Sequence, residues 1–167
     1  MIVDGQLPPF IIVFPFDYSL RQPKEYKFEE VFIKLLIPEI DTRYRTKTDV
    51  SSRAIGGLSR GGAWAFHLGA QYPELFGAIG GHSPAIFYND EASLRRNLLA
   101  IPIAKRPRIW LDVGDNDPEF SLIKSYEDFL SKNDFIHEWH IFLGWHDEKY
   151  WSAHVDAYLG WYAQGWR

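Results

Sequence analysis

The sequence predicts an α/β fold built on a mainly parallel sheet with helices on both faces, and two observations carry that prediction. Strand-like and helix-like segments alternate from Pro9 onward. The first strand-like run, Phe10 to Phe14, is also apolar throughout rather than alternately apolar and polar, as a strand buried on both sides is.

The elements follow in order. Phe10-Ile11-Ile12-Val13-Phe14 is predicted as the first strand, with Pro15 ending it. Phe28, Val31, Phe32, Leu35 and Leu36 recur at the spacing of one helical face, and Pro38 predicts a break or kink. The second strand, Arg53-Ala54-Ile55-Gly56-Gly57-Leu58, runs into Ser59, and a helix of small residues follows from Arg60 to about Gln71, before Pro73. A short, glycine-rich third strand lies near Phe76 to Gly81, and a helix spans Glu91 to Ala100. The fourth strand, Arg108 to Val113, leads into Gly114-Asp115-Asn116-Asp117-Pro118, where turn formers are dense. A helix from about Glu119 to Ser131 aligns Leu122, Ile123, Tyr126, Phe129 and Leu130 on one face, and a fifth strand covers Ile136 to Phe142. The last helix begins after Asp147 and is expected to bury Trp151, Val155, Tyr158, Leu159 and Tyr162. Repeats, low-complexity tracts and linkers are lacking, so a single domain over 1–167 is expected.

Composition narrows the function classes. The 167 residues suffice for one domain with a real core. Aromatic residues make up 17% of the chain, which fits a bulky core or a cleft for planar or sugar-like ligands. A net charge of −4 without a basic stripe argues against nucleic-acid binding, which needs clustered Lys and Arg. The absence of cysteine excludes disulfides, thiolate metal sites and a thiol nucleophile, and leaves the compartment open. Neither a signal-peptide pattern at Met1-Ile2-Val3-Asp4-Gly5-Gln6 nor an apolar run of about 18 residues is present, so the chain reads as soluble.

The chemistry starts at Gly57-Leu58-Ser59-Arg60-Gly61. This is G-x-S-x-G, a strand-to-helix turn that exposes a serine hydroxyl above a sheet, with glycines at positions where a side chain would collide. The start of the following helix adds positive potential where an oxyanion would form. A serine needs a base to take its proton and an acid to orient that base, in the chain order Ser, Asp or Glu, His for this type of turn. Asp117, after the fourth strand, and His146, after the fifth, satisfy that order. Asp117 before Pro118 also reads as a helix N-cap, and Asp115 is a turn residue that could reach the histidine instead. Asp112 is expected to point into the sheet. His137, His140 and His154 lie on the strand or within the helix, and none of these three follows a strand end with a glycine ahead of it as His146 does. The spacing of His137 and His140 does not suit a metal site, because a strand would set them on opposite faces.

These residues resemble a family. Gly57-Leu58-Ser59-Arg60-Gly61-Gly62, Gly114-Asp115-Asn116-Asp117, and Gly144-Trp145-His146-Asp147 with Tyr150-Trp151 are similar to the esterase family of α/β-hydrolases that includes carbohydrate esterase family 1 feruloyl and acetyl-xylan esterases, S-formylglutathione hydrolase and enterochelin esterases. Phe32 to Tyr44 and Pro73-Glu74-Leu75-Phe76-Gly77 resemble the segments before and after the serine turn. The resemblance implies an α/β-hydrolase fold with Ser59 as nucleophile, His146 as base and Asp117 as orienter. It also implies an N-terminally truncated chain, since Pro8 to Val13 resembles the strand that follows the family's His-Gly oxyanion loop. Arg60 N–H would supply one oxyanion donor. Loss of the other costs about 3 kcal/mol, or about 10²–10³ in rate, so weak or absent activity is expected unless another segment or subunit replaces it. A bared sheet edge would also favour a homo-oligomer.

The expectation is a cofactor-free serine esterase that forms an acyl-enzyme on a small-molecule ester, with aryl or sugar-linked esters such as feruloyl or acetyl groups suggested by the resemblance. His82, Ser83, Pro84 and Trp145 are expected to border the cleft. Two other readings stay open: a hydrolase-like scaffold without catalysis, and an acyltransferase of the same fold.

Overall fold

Apolar runs become strands only where a neighbour pairs with them, and the computed structural model shows four such runs. It describes residues 1–17, 19 and 21–166. The strands are β1 (Ala54–Leu58), β2 (Ala78–His82), β3 (Arg108–Gly114) and β4 (His137–Phe142), in the order β1-β2-β3-β4 with every pair parallel. One row across the sheet reads Leu58, His82, Asp112, His140.

The helices are α1 (Phe28–Val31), α2 (Ile37–Arg43), α3 (Arg60–Gln71), α4 (Glu91–Ala100), α5 (Phe120–Lys132) and α6 (Glu148–Tyr162). Strand order follows chain order, and α3, α4 and α5, which connect successive strands, share one face. Side-chain alternation along β3 separates the two sides of the sheet. Ile109, Leu111 and Val113 pack with Phe66 and Leu68 of α3, Leu94 and Leu98 of α4, and Ile123, Tyr126 and Leu130 of α5. Trp110, between them in sequence, packs with Tyr158 and Trp161 of α6 on the other side. Helices therefore cover both faces, as the sequence predicts.

Three expectations need correction. Phe10–Phe14 is not a strand: among the described residues nothing pairs with it, and Ile11, Ile12, Val13 and Phe14 are exposed, Phe14 at 86%. The run lies among Pro8, Pro9 and Pro15, which cannot donate to a ladder, and β1 is left as a sheet edge. The helical path also does not stop at Pro38. It passes from α1 through a π-helical segment (Phe32–Leu36) into α2, with Ile37 N–H bonded to Phe32 O, and this wider turn accommodates the proline ring. Finally, α6 buries Tyr158 as expected but does so with Tyr150 and Trp161, whereas Trp151, Leu159 and Tyr162 are half-buried and Val155 is exposed. The phenols turn inward because a buried carboxylate on β3 accepts their hydrogen bonds.

Candidate active site

Ser59 sits between β1 and α3 with φ +48° and ψ −117°, a left-handed conformation that costs a non-glycine residue about 1–3 kcal/mol. Packing holds it there. Ser59 N–H donates to His82 O at 3.0 Å, and Ser59 O accepts from Ala63 N–H at 3.1 Å and Ala85 N–H at 3.0 Å. Gly57 is required because a Cβ would overlap the Gly61 backbone, and Gly62 because a Cβ would stand 2.7 Å from Pro84 Cβ. Gly61 itself has open space where a Cβ would be, so the second steric glycine of the turn is Gly62 rather than the motif's own Gly61.

The loops after β3 and β4 bring two more side chains to the serine. His146 Nε2 is 2.8 Å from Ser59 Oγ, and His146 Nδ1 is 2.8 Å from Asp117 Oδ2. With Nδ1–H donating to the carboxylate, Nε2 is left to accept the serine hydroxyl. Asp117 is buried and its other oxygen accepts Glu119 N–H at 2.8 Å, so it serves the start of α5 and the histidine together. Asp115 faces elsewhere. Its Oδ1 accepts Gly144 N–H at 2.9 Å and a hydrogen bond from Asn116, and so holds the loop that carries His146. The edge of Trp151 lies against His146, with ring centroids 5.0 Å apart at 80°.

Arg60 is the first residue of α3, so its backbone N–H has no helical acceptor and lies beside Ser59. Its side chain is committed elsewhere, donating to Asp17 Oδ2 at 2.8 Å and to Arg21 O, with the guanidinium over Phe87. Asp17 also accepts Trp64 Nε1–H at 2.7 Å. Burial alone would raise the Asp17 pKa, but bonds from Trp64, Ser19 and Arg60 outweigh it and hold the carboxyl below its ordinary range.

The other cleft candidates divide. Trp145 is 62% exposed and lines an open cavity of about 300 Å³ with Asp115, Asn116, Asp147 and Lys149, which Ser59, Asp117 and His146 do not line. His82 does not border the cleft. Alternation along β2 carries it to the α6 side, where it is buried with Nδ1 2.6 Å from Asp112 and Nε2 2.8 Å from Tyr162 Oη. Ser83 is fully buried with φ +46°, and its N–H donates to Asp112 O at 2.9 Å. Tyr150 and Trp151, which the resemblance groups with the His146 loop, lie in the first turn of α6, and what the sequence did not show is the packing of Trp151 on the histidine and the turning of Tyr150 to the far side of the sheet.

The model of the family described as "Putative esterase" matches residues 16–162. The chain belongs to this esterase family. An "Endo-1,4-beta-xylanase/feruloyl esterase" of Xylanibacter ruminicola is 37% identical over 87 residues, which are 48% of this chain and 12% of that protein. A solved ferulic acid esterase superposes with a TM-score of 0.80 at 20% identity, covering 98% of this chain and 74% of its own. S-formylglutathione hydrolase of Staphylococcus aureus superposes with a TM-score of 0.72 at 14% identity, covering 82% and 61%. At these identities the two structures show that the fold is that of α/β-hydrolase esterases. The chain spans about an eighth of the curated relative it matches.

Proposed function

We propose that this chain is a carboxylic-ester hydrolase in which Ser59 is the nucleophile, His146 the general base and Asp117 the group that orients it. The observation that carries the reading is the unbroken hydrogen-bonded line from Asp117 through His146 to the Ser59 hydroxyl, on a strained turn at the start of a helix. Family membership supports the reaction class.

In this mechanism His146 Nε2 takes the Ser59 proton as Oγ attacks the ester carbonyl carbon. The carbonyl π electrons move to oxygen, where the free N–H of Arg60 donates to the developing charge. Collapse of the intermediate breaks the bond to the alcohol oxygen, which leaves with the proton from His146. A water molecule, deprotonated by the same nitrogen, then attacks the acyl-serine and releases the acid. No step needs a cofactor. Trp145, exposed beside His146, is proposed to border the bound ester. Feruloyl or other small acyl esters, including carbohydrate-linked ones, are the proposed substrates, supported by the names of the curated relative and of the first solved structure above. Residues 1–167 are taken as one esterase domain. Among the described residues no helix is long and apolar enough to cross a membrane.

Hydrolysis of p-nitrophenyl acetate and methyl ferulate by the chain beside Ser59→Ala tests the proposal. A loss of about 10³-fold or more in kcat is expected in the variant, with loss of fluorophosphonate labelling. Equal turnover and labelling in the two proteins would sink it. A folded chain inert in both assays would favour the scaffold reading.

A further inference from the structure

We propose that Asp112 and Tyr150 form a positioning pair that holds the His146 loop in register with Ser59 from the opposite side of the sheet. The inference rests on the reading of His146 as the base.

Asp112 is fully buried, near the end of β3, on the face turned away from the large apolar core. Its carboxylate accepts from four side chains. Oδ2 lies 2.6 Å from both His82 Nδ1 and Trp110 Nε1, and Oδ1 lies 2.7 Å from Tyr150 Oη and 3.1 Å from Tyr158 Oη. A carboxylate withdrawn from water is costly even when fully paired, and an apolar side chain would attach α6 to the sheet as well. What an apolar residue would not do is fix the direction of a particular ring. Burial, followed by the charge and hydrogen bond of Asp112, raises the Tyr150 pKa far above the ordinary phenol value, so its hydroxyl stays a donor.

Tyr150 in turn touches both ends of the loop that carries His146. On one side its ring packs against Gly144, where φ is +148° and a Cβ would stand 2.8 Å from Tyr150 Cδ2. Gly144 is bonded through N–H to Asp115 and through O to Asn116 N–H at 3.0 Å, next to Asp117. On the other side Tyr150 N–H donates to Asp147 Oδ1 at 2.8 Å. His146 lies between these two anchors, so a shift of Tyr150 displaces both. Tyr158 donates to the same carboxylate oxygen but lies two turns farther along α6. It therefore supplies the control, a similar bond on the same acceptor away from the loop.

The test uses the whole chain and p-nitrophenyl acetate, with kcat, KM and Tm measured for Tyr150→Phe, Tyr158→Phe, Asp112→Asn and the Asp112→Asn/Tyr150→Phe pair. Tyr150→Phe is expected to lower kcat about tenfold with little change in KM, as misplacement of a reacting group does. Tyr158→Phe is expected to keep kcat within about twofold even where its Tm falls as much. The double variant should be no slower than the slower single variant, because the two residues act through one contact. Equal kcat for the two tyrosine variants, or multiplied losses in the double variant, would overturn the pair. Should Asp112→Asn fail to fold, the contrast between the tyrosines still decides. Ser59→Ala separates the two levels. Turnover that survives in it removes the serine mechanism and the pair together, whereas turnover lost in Ser59→Ala but equal in the tyrosine variants removes the pair alone.

Discussion

The two faces of the sheet are held by different chemistry. Under α3, α4 and α5 the contacts are apolar, made by Phe66, Leu68, Ile79, Leu98, Leu111 and Ile123 among others. Under α6 the apolar cluster is small, and the contacts converge on the Asp112 carboxylate and the rings of His82, Tyr150, Tyr158 and Tyr162. An apolar face tolerates any good fit of volume, whereas a polar one needs each donor matched to an acceptor. The comparison teaches that stability and alignment come from opposite sides of this sheet.

The largest break in that comparison is expected on the apolar face. Phe66→Ala should lower unfolding stability by about 3–5 kcal/mol in urea titration, since the ring is fully buried and its loss leaves a cavity. A cost under about 1 kcal/mol would mean that the face is loosely packed. On the polar face, Gly80→Ala should cost about 1–3 kcal/mol, because a Cβ there overlaps the Tyr162 phenol and must push α6 outward. Gly61→Ala, with open space around it, is expected within about 0.5 kcal/mol of wild type, and an equal cost at both positions would contradict the steric account.

The smallest effect concerns a charged cluster beside the apolar face. His67 of α3 lies 2.6 Å from Asp90 and 3.1 Å from Glu29, and Tyr72 donates to the same Glu29 at 2.7 Å. Burial lowers the His67 pKa, but the bond and charge of Asp90, then those of Glu29, outweigh it and leave the pKa raised above the ordinary histidine value. A raised folded-state pKa contributes stability that is fully present below the unfolded value and lost as pH rises through the folded one. His67→Gln should therefore lessen the fall in Tm as pH rises above about 6.5. An unchanged fall would remove His67 as its source. Burial, with the neighbouring Glu29, pushes Tyr72 up to about 12, so the phenol stays protonated near neutral pH.

The same contrast explains what could be read in advance. Helices facing the apolar side were legible because their spacing records the core, as with Ile123, Tyr126, Phe129 and Leu130 of α5. Strand ends were legible from turn formers, and the chain order Ser59, Asp117, His146 placed three side chains that the structure brings within hydrogen-bond reach. The residues alone left Asp115 and Asp117 open, since both lie in one turn; the resemblance implied Asp117, and in the fold it is Asp117 that faces the histidine. Asp112 was placed in the sheet, but its four donors come from β2, β3 and α6 and share no periodicity. The facing of α6 and the burial of His82 went unread for that reason. Phe10–Phe14 looked like a strand because composition reports β-propensity, whereas pairing depends on a neighbour that composition does not name.

Strand order that repeats chain order has a kinetic consequence. Each new strand adds beside the one before it, so the sheet can grow in the sequence in which the chain leaves the ribosome, each parallel pairing waiting on the slow closure of its helical crossover. Ser59 follows β1 and His146 follows β4, 87 residues later. The hydrogen bond between them closes only when β4 docks, so reactivity at Ser59 becomes a clock for the docking of that strand.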